Sequence, residues 1–131
     1  MSASAVRTQV RTWAAEVETS TGVPFYDTLN VVQSPTDNVW WTVSFTSEYH
    51  EGNFCEPNYI ERGFVEVIVI AQPGRGDADA ITAIEQIVPA LMGKDMNKVE
   101  LVSYEPIDDV TGGSADASFR VRAIINYHYS L

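Results

Sequence analysis

Residue types that can bind a metal or perform nucleophilic catalysis are concentrated in one stretch, SEYHEGNFCEPNYIERG, at residues 47–63. It contains the only cysteine, Cys55, and one of the two histidines, His50. A zinc site requires Cys and His at ligand spacing, such as a CxxC pair followed by two histidines. The second histidine, His128, lies far along the chain. The remaining possible ligands are carboxylates that solvent usually surrounds in a loop, namely Glu48, Glu51 and Glu56. The pattern therefore predicts no metal site.

Nucleophilic catalysis by Cys55 has equally little support. A catalytic thiol needs a base that holds it as thiolate, and the acidic residues around Cys55 are expected to raise its pKa. Asp108 and Asp109 are adjacent carboxylates, but sequence neighbours in a loop usually point apart. The chain has no serine elbow, phosphate-binding loop, HExxH motif or dinucleotide fingerprint. The sequence predicts no catalytic residue and no cofactor.

Hydrophobic periodicity predicts the helices and strands on either side of this stretch. Apolar residues of the first segment, from Val6 to Val17, recur at helical spacing, and a second such stripe runs from Ile81 to Leu91. Alternation of apolar and polar residues predicts several β-strands. One begins at Val39, and the last ends near Tyr129, close to the end of the sequence. A length of 131 residues predicts one domain, residues 1–131. The predicted fold is α+β, a mostly antiparallel β-sheet with two α-helices packed on one face.

Several of the predicted strands also offer residues suited to a protein interface. Trp40 and Ile124 lie on the polar faces of their strands, where a large apolar side chain needs cover. Aromatic residues also occur in the loop of residues 49–59, and tyrosine and phenylalanine are typical of interface cores. We predict that residues 47–63 form a long β-hairpin arm that reaches another molecule. The candidate interface residues are Trp40, Tyr49, His50, Phe54, Tyr59 and Ile124.

Charge and hydropathy exclude two classes of partner. With 8 basic and 18 acidic residues the net charge is −10, and no cluster of Lys and Arg could neutralise phosphates. The longest apolar run, Val67–Ala71, is far shorter than the roughly 20 residues that span a membrane. The N-terminal residues lack the apolar core of a secretory signal, and Cys55 has no disulfide partner. We expect a soluble protein, made in a reducing compartment, that binds neither nucleic acid nor membrane.

The layout of the chain, over nearly its whole length, resembles the tail terminator proteins of long-tailed bacteriophages. An amphipathic helix is followed by an aromatic and proline-rich strand region, a central strand GFVEVIVIAQPG, a helix containing IVPALM, and a final strand within SADASFRVRAIINYHYSL. The resemblance implies a homohexameric ring, without enzymatic activity or cofactor, that caps the tail tube and stops its polymerisation. It also implies contacts with the tail tube protein and with a head-completion or neck protein.

The resemblance further implies a location at the head-proximal end of the virion tail, after assembly in the bacterial cytoplasm. DNA would pass through the ring without specific binding, since carboxylates that face a channel repel it. Candidate lumen-facing carboxylates are Glu48, Glu51, Glu56, Asp108 and Asp109.

Three other interpretations remain open at this point. The chain could be a neck protein, a head–tail connector or another tail completion protein, since these share its small size and acidity. It could be a small-molecule-binding or hydrolytic domain, if a cavity replaced the packed core around its aromatic residues. Those residues are Trp13, Trp41, Tyr104 and Tyr127. It could also be a monomeric immunity-type or adaptor protein.

Overall fold

The computed structural model describes residues 4–27, 37–53, 57–72, 78–94, 99–107 and 119–130, with the backbone alone for 99–107. Two helices and four strands follow each other along the chain. They are α1 (Ser4–Thr21), β1 (Val39–Glu51), β2 (Ile60–Ala71), α2 (Ala78–Met92), β3 (Val99–Ile107) and β4 (Phe119–Ser130). The predicted α+β class is confirmed.

The four strands form one antiparallel sheet in the order β1-β2-β4-β3. β1 and β2 are a hairpin that pairs from Val39–Ala71 to Glu51–Ile60. β2 then pairs with β4, and β4 with β3. β2 and β3 consequently run in the same direction on either side of β4, and α2 makes the crossover between them. The prediction that β2 is a central strand is confirmed.

Both helices pack on the same face of the sheet. The buried residues of α1 are the predicted stripe of Val6, Val10, Trp13, Ala14 and Val17. They share one hydrophobic cluster with the buried residues of α2 and with the odd-numbered positions of the strands. These positions include Trp41, Val43, Val65, Val67, Val69, Val121, Ala123, Ile125 and Tyr127. We call this side of the sheet the core face.

The stripe predicted for α2 is wrong at one position. Ile81 is 38% exposed, and the helix instead buries Ala80 and Ala83 together with Ile84, Ile87, Val88 and Leu91. With Ala80, Ala83 and Ile84 on the buried side of the helix, Ile81 lies on the exposed side. Pro89 lies within the helix, which ends three residues later at Met92.

The segment after α1 covers one end of β1. Gly22 ends the helix with φ of +75°, a conformation that glycine adopts without strain. Phe25 then forms a parallel bridge with Trp41, and the Phe25 amide donates to Glu18 Oε2 at 2.6 Å. The indole Nε1 of Trp41 donates to the Val23 carbonyl at 3.1 Å. Trp41 is therefore fully buried in the core, with its indole N–H hydrogen-bonded.

We call the opposite side of the sheet the second face. It consists of the even-numbered residues of β2 and β4 and of the β1 residues that pair with them. None of these residues belongs to the cluster that holds the buried residues of the two helices. A central strand that is apolar on both faces needs cover on both, yet among the described residues the helices cover only the core face.

Candidate functional site

A β-bulge at Glu48 determines which residues the end of the hairpin presents. Ser47 pairs with Gly63 and Tyr49 pairs with Arg62, so that Glu48 is the extra residue of β1. One inserted residue reverses the alternation of side chains along a strand. Tyr49 consequently lies on the second face with Arg62, although its odd number would place it on the core face.

At the described end of the hairpin, two large hydrophobic side chains are exposed beside a cation. Tyr49 is 45% exposed and Ile60 is 37% exposed. The guanidinium carbon of Arg62 lies 5.7 Å from the centre of the Tyr49 ring, within cation–π range. The Tyr49 hydroxyl donates to Glu51 Oε1, and this hydrogen bond raises the tyrosine pKa. We call Tyr49, Ile60 and Arg62 the hairpin-end patch.

Next to this patch, half-buried apolar and charged residues alternate across the second face. Phe64 pairs with Asn126, and Glu66 pairs with Ile124. The Arg122 guanidinium nitrogen Nη1 lies 2.9 Å from Glu66 Oε1 and ties β4 to β2. The second face therefore combines half-buried apolar side chains with an ion pair between β2 and β4.

The other end of the second face is partly covered. Tyr26 meets the Trp40 ring edge-on at 5.8 Å, and its hydroxyl donates to Asp37 Oδ2. Thr42 and Ile70, which lie beside Trp40, are buried. Trp40 was predicted to need another group to cover its ring, and Tyr26 of the same chain covers part of it. The exposed large hydrophobic residues of the second face, Tyr49 and Ile60, lie at the hairpin end.

A polar cluster that the sequence did not reveal is buried on the core face at the same end of the sheet. Glu61 is fully buried. Its two carboxylate oxygens accept hydrogen bonds of 2.6 Å from the hydroxyls of Tyr59 and Tyr127. Burial, and secondly the hydrogen bond to Glu61, raise the pKa of Tyr59. Buried polar groups persist when they are hydrogen-bonded in this way.

The prediction that Tyr59 belongs to an intermolecular interface is corrected by this cluster. Its side chain is only 2% exposed and its ring packs 5.9 Å from that of Tyr129. The chain itself covers the ring, so a partner has nothing to bury. A signal was present in the sequence, because Tyr59 and Glu61 continue the odd-numbered alternation of β2 into the quoted stretch.

The structure divides the candidate interface residues between the two faces. Trp40, Tyr49 and Ile124 share the second face, whereas His50 pairs with Glu61 and is exposed beside the Tyr59 ring. Glu48 and Glu51 are exposed at the hairpin end. Phe54, Cys55, Glu56, Asp108 and Asp109 lie outside the described residues.

The hairpin itself is confirmed, but it does not stand free of the sheet. The β1–β2 ladder extends to Glu51 and Ile60, as the prediction of extended strands requires. However, β4 flanks β2 along the whole ladder, and Ile60 still pairs with Ser130. The end of the hairpin is therefore one end of the four-stranded sheet.

Metal binding, membrane insertion and similarity to known proteins do not narrow the function further. Within the described ranges, no group of three or more His, Cys, Asp or Glu residues is arranged to hold a metal ion. Neither α1 nor α2 is long and apolar enough to cross a membrane. No protein-family model matches the sequence, and no curated protein matches it.

Proposed function

We propose that this protein is a structural subunit of a bacteriophage tail, a tail terminator that assembles as a homohexameric ring on the tail tube. The ring ends polymerisation of the tube and provides the surface to which the head-completion or neck protein attaches. The protein acts by binding and has no catalytic step.

The observation that carries this proposal is the asymmetry of the sheet. Two helices cover the core face, while the second face retains half-buried Phe64 and Ile124 beside the exposed hairpin-end patch. Apolar side chains on a sheet face that neither helix covers are candidates for contact with another protein. The layout of the chain, which resembles the tail terminator proteins, names the partner as further copies of the same chain.

Charge supports a role around DNA without binding to it. Six copies would carry about −60 formal charges, six times the −10 of one chain. Carboxylates around a channel repel the phosphate backbone and keep the DNA from adhering. Of the carboxylates predicted to face the lumen, Glu48 and Glu51 are exposed at the hairpin end.

Electron microscopy of tail tubes tests the proposal. Tubes polymerised from the tail tube protein of the same phage are mixed with this protein and stained. The proposal predicts a ring at one end of each tube and shorter tubes when the protein is present during polymerisation. Bare tube ends and an unchanged length distribution would argue against it. Bovine serum albumin at the same concentration serves as the control for non-specific adsorption.

A further inference from the structure

Residues 59–62 lie alternately on the two faces of the sheet at the hairpin end. Tyr59 and Glu61 are buried on the core face. Ile60 and Arg62, which alternate with them, are exposed on the second face, where Arg62 lies over the Tyr49 ring. The side-chain period of an extended chain is two. Whatever fixes the two buried side chains therefore also fixes the direction of the two exposed ones.

Glu61 connects this segment to the neighbouring strand. Its Oε1 accepts a 2.6 Å hydrogen bond from Tyr59, and its Oε2 accepts one of 2.6 Å from Tyr127 of β4. The Tyr59 ring lies 5.9 Å from that of Tyr129 of β4 and 6.4 Å from that of His50 of β1. Three strands therefore meet here on the core face. We call Tyr59, Glu61 and Tyr127 the Glu61 cluster.

The Glu61 cluster favours one register of the sheet over its neighbours. A slip of β2 by one residue would exchange the faces of all its side chains. Glu61 would then leave the two phenols, and Arg62 would enter the core with its charge, which is costly. Buried networks whose members are hydrogen-bonded rigidify a structure and make it unique. Replacing all their members by apolar groups often costs little stability, so their main effect is on specificity.

From these observations we infer that Glu61 is a positioning residue. Through Tyr59 and Tyr127 it holds the hairpin end in the orientation that presents the hairpin-end patch on the second face. Ring assembly depends on the Glu61 cluster beyond the contribution of the cluster to folding stability. The inference rests on the proposed function, in which further copies of the chain contact this surface, and it identifies what orders the surface before the copies meet.

Apolar replacement of the whole cluster separates positioning from stability. The variant Tyr59→Phe/Glu61→Leu/Tyr127→Phe removes the carboxylate and both phenols together. Amide hydrogen exchange is measured residue by residue before tail tubes are added. The inference predicts exchange about ten times faster at residues 49–51 and 60–62, because local opening becomes easier there. Residues 39–43 and 69–71, at the opposite end of the same two strands, are expected to exchange as in the wild type.

Glu18→Ala is the matched control for a loss of stability far from the cluster. Glu18 accepts the hydrogen bond of the Phe25 amide, and Phe25 bridges to Trp41 near the start of β1. Wild type and both variants are added to tail tubes at a temperature at which denaturation curves show that all three are folded. Electron microscopy then counts the capped tube ends. The cluster variant is expected to give about tenfold fewer capped ends, because a surface that must first be ordered binds more weakly. Glu18→Ala is expected to match the wild type.

The outcomes separate the inference from the proposed function. Fast exchange at the hairpin end together with few capped ends, in the cluster variant alone, supports the inference. Wild-type exchange at residues 49–51 and 60–62 of the cluster variant would overturn it. A normal number of capped ends despite fast exchange would overturn it as well, and both results leave the ring of the wild type intact. Wild-type protein that caps no tubes would overturn the proposed function and the dependence of assembly on Glu61 together.

Discussion

Gly63 of β2 lies directly opposite Tyr127 of β4, and the tyrosine hydroxyl occupies the space into which a side chain at position 63 would extend. A Cβ at this position would lie 2.8 Å from that hydroxyl oxygen and 2.1 Å from the carbonyl oxygen of Thr46. The glycine therefore allows Tyr127 to reach Glu61, with which it forms the 2.6 Å hydrogen bond of the buried cluster. The absence of a side chain at position 63 of β2 thus leaves room for the hydrogen bond from Tyr127 of β4 to Glu61.

Gly63→Ala is expected to destabilise the protein by about 3 kcal/mol, at the upper end of the range for overpacking. The Thr46 carbonyl belongs to the backbone and has no room to move away from the added methyl group. Chemical denaturation in guanidinium chloride measures the loss. Gly93→Ala is the matched control, since its nearest neighbour would be 3.4 Å away. Its effect is expected to stay within about 0.5 kcal/mol. Equal effects at the two glycines would contradict the packing described for Tyr127.

Removal of the two phenol hydroxyls tests the buried cluster around Glu61. Tyr59→Phe and Tyr127→Phe are each expected to lower the free energy of unfolding by about 1.5 kcal/mol, because each removes a hydrogen bond to a buried carboxylate oxygen. The double variant removes both phenol donors and is expected to lose more than the sum of the single changes, by at least about 0.5 kcal/mol. Strict additivity in the double-mutant cycle would show that the two tyrosines act independently.

Stability is expected to fall at alkaline pH because the pKa of Tyr59 is raised in the folded state. Below about pH 10 the phenol is protonated in both states and its contribution is fully present. As the pH rises further, the unfolded chain releases the proton first, so the unfolded state gains stability, by at most about 1.4 kcal/mol per pH unit for one tyrosine.

Denaturation midpoints at pH 9, 10 and 11 measure this slope. Tyr59→Phe removes the titrating group and is expected to show a smaller loss of stability over the same interval. The remaining tyrosines are common to both proteins, so the difference between the two slopes isolates Tyr59. A wild-type slope no steeper than that of the variant would contradict the assignment.

Glu18→Ala is expected to loosen the segment that joins α1 to β1. The carboxylate accepts a 2.6 Å hydrogen bond from the Phe25 amide, and its loss should lower the free energy of unfolding by about 1.5 kcal/mol. Glu16→Ala is the control on the same helix, because Glu16 is an exposed residue paired with Lys94 and is expected to contribute at most about 0.5 kcal/mol. Thermal unfolding of both variants checks the difference. Similar losses would show that the bond to Phe25 has no special role.

The sequence predicts the helices and the sheet well wherever one hydrophobic period dominates. The α1 stripe is buried as predicted, and the alternation along β4 places Val121, Ile125 and Tyr127 on the core face. The prediction from hydrophobic spacing fails for Ile81. Helical spacing does not distinguish a buried isoleucine from an exposed one when alanines can take its place in the packing.

The residues of the hairpin end were harder to predict for two physical reasons. The bulge at Glu48 reverses which face Tyr49 and His50 occupy, and no local residue preference marks its position. The burial of Glu61 was not predicted, because an isolated carboxylate is costly to bury. It is buried because Tyr59 and Tyr127 satisfy it, and Tyr127 comes from a strand far away in the sequence.

The mass of the native assembly tests the central claim most directly. Native mass spectrometry of the purified protein, alone and after release from tail tubes, is expected to show a species of about 87 kDa, six times the 14.5 kDa of one chain. A mass of 14.5 kDa under both conditions would contradict a ring built from copies of this chain.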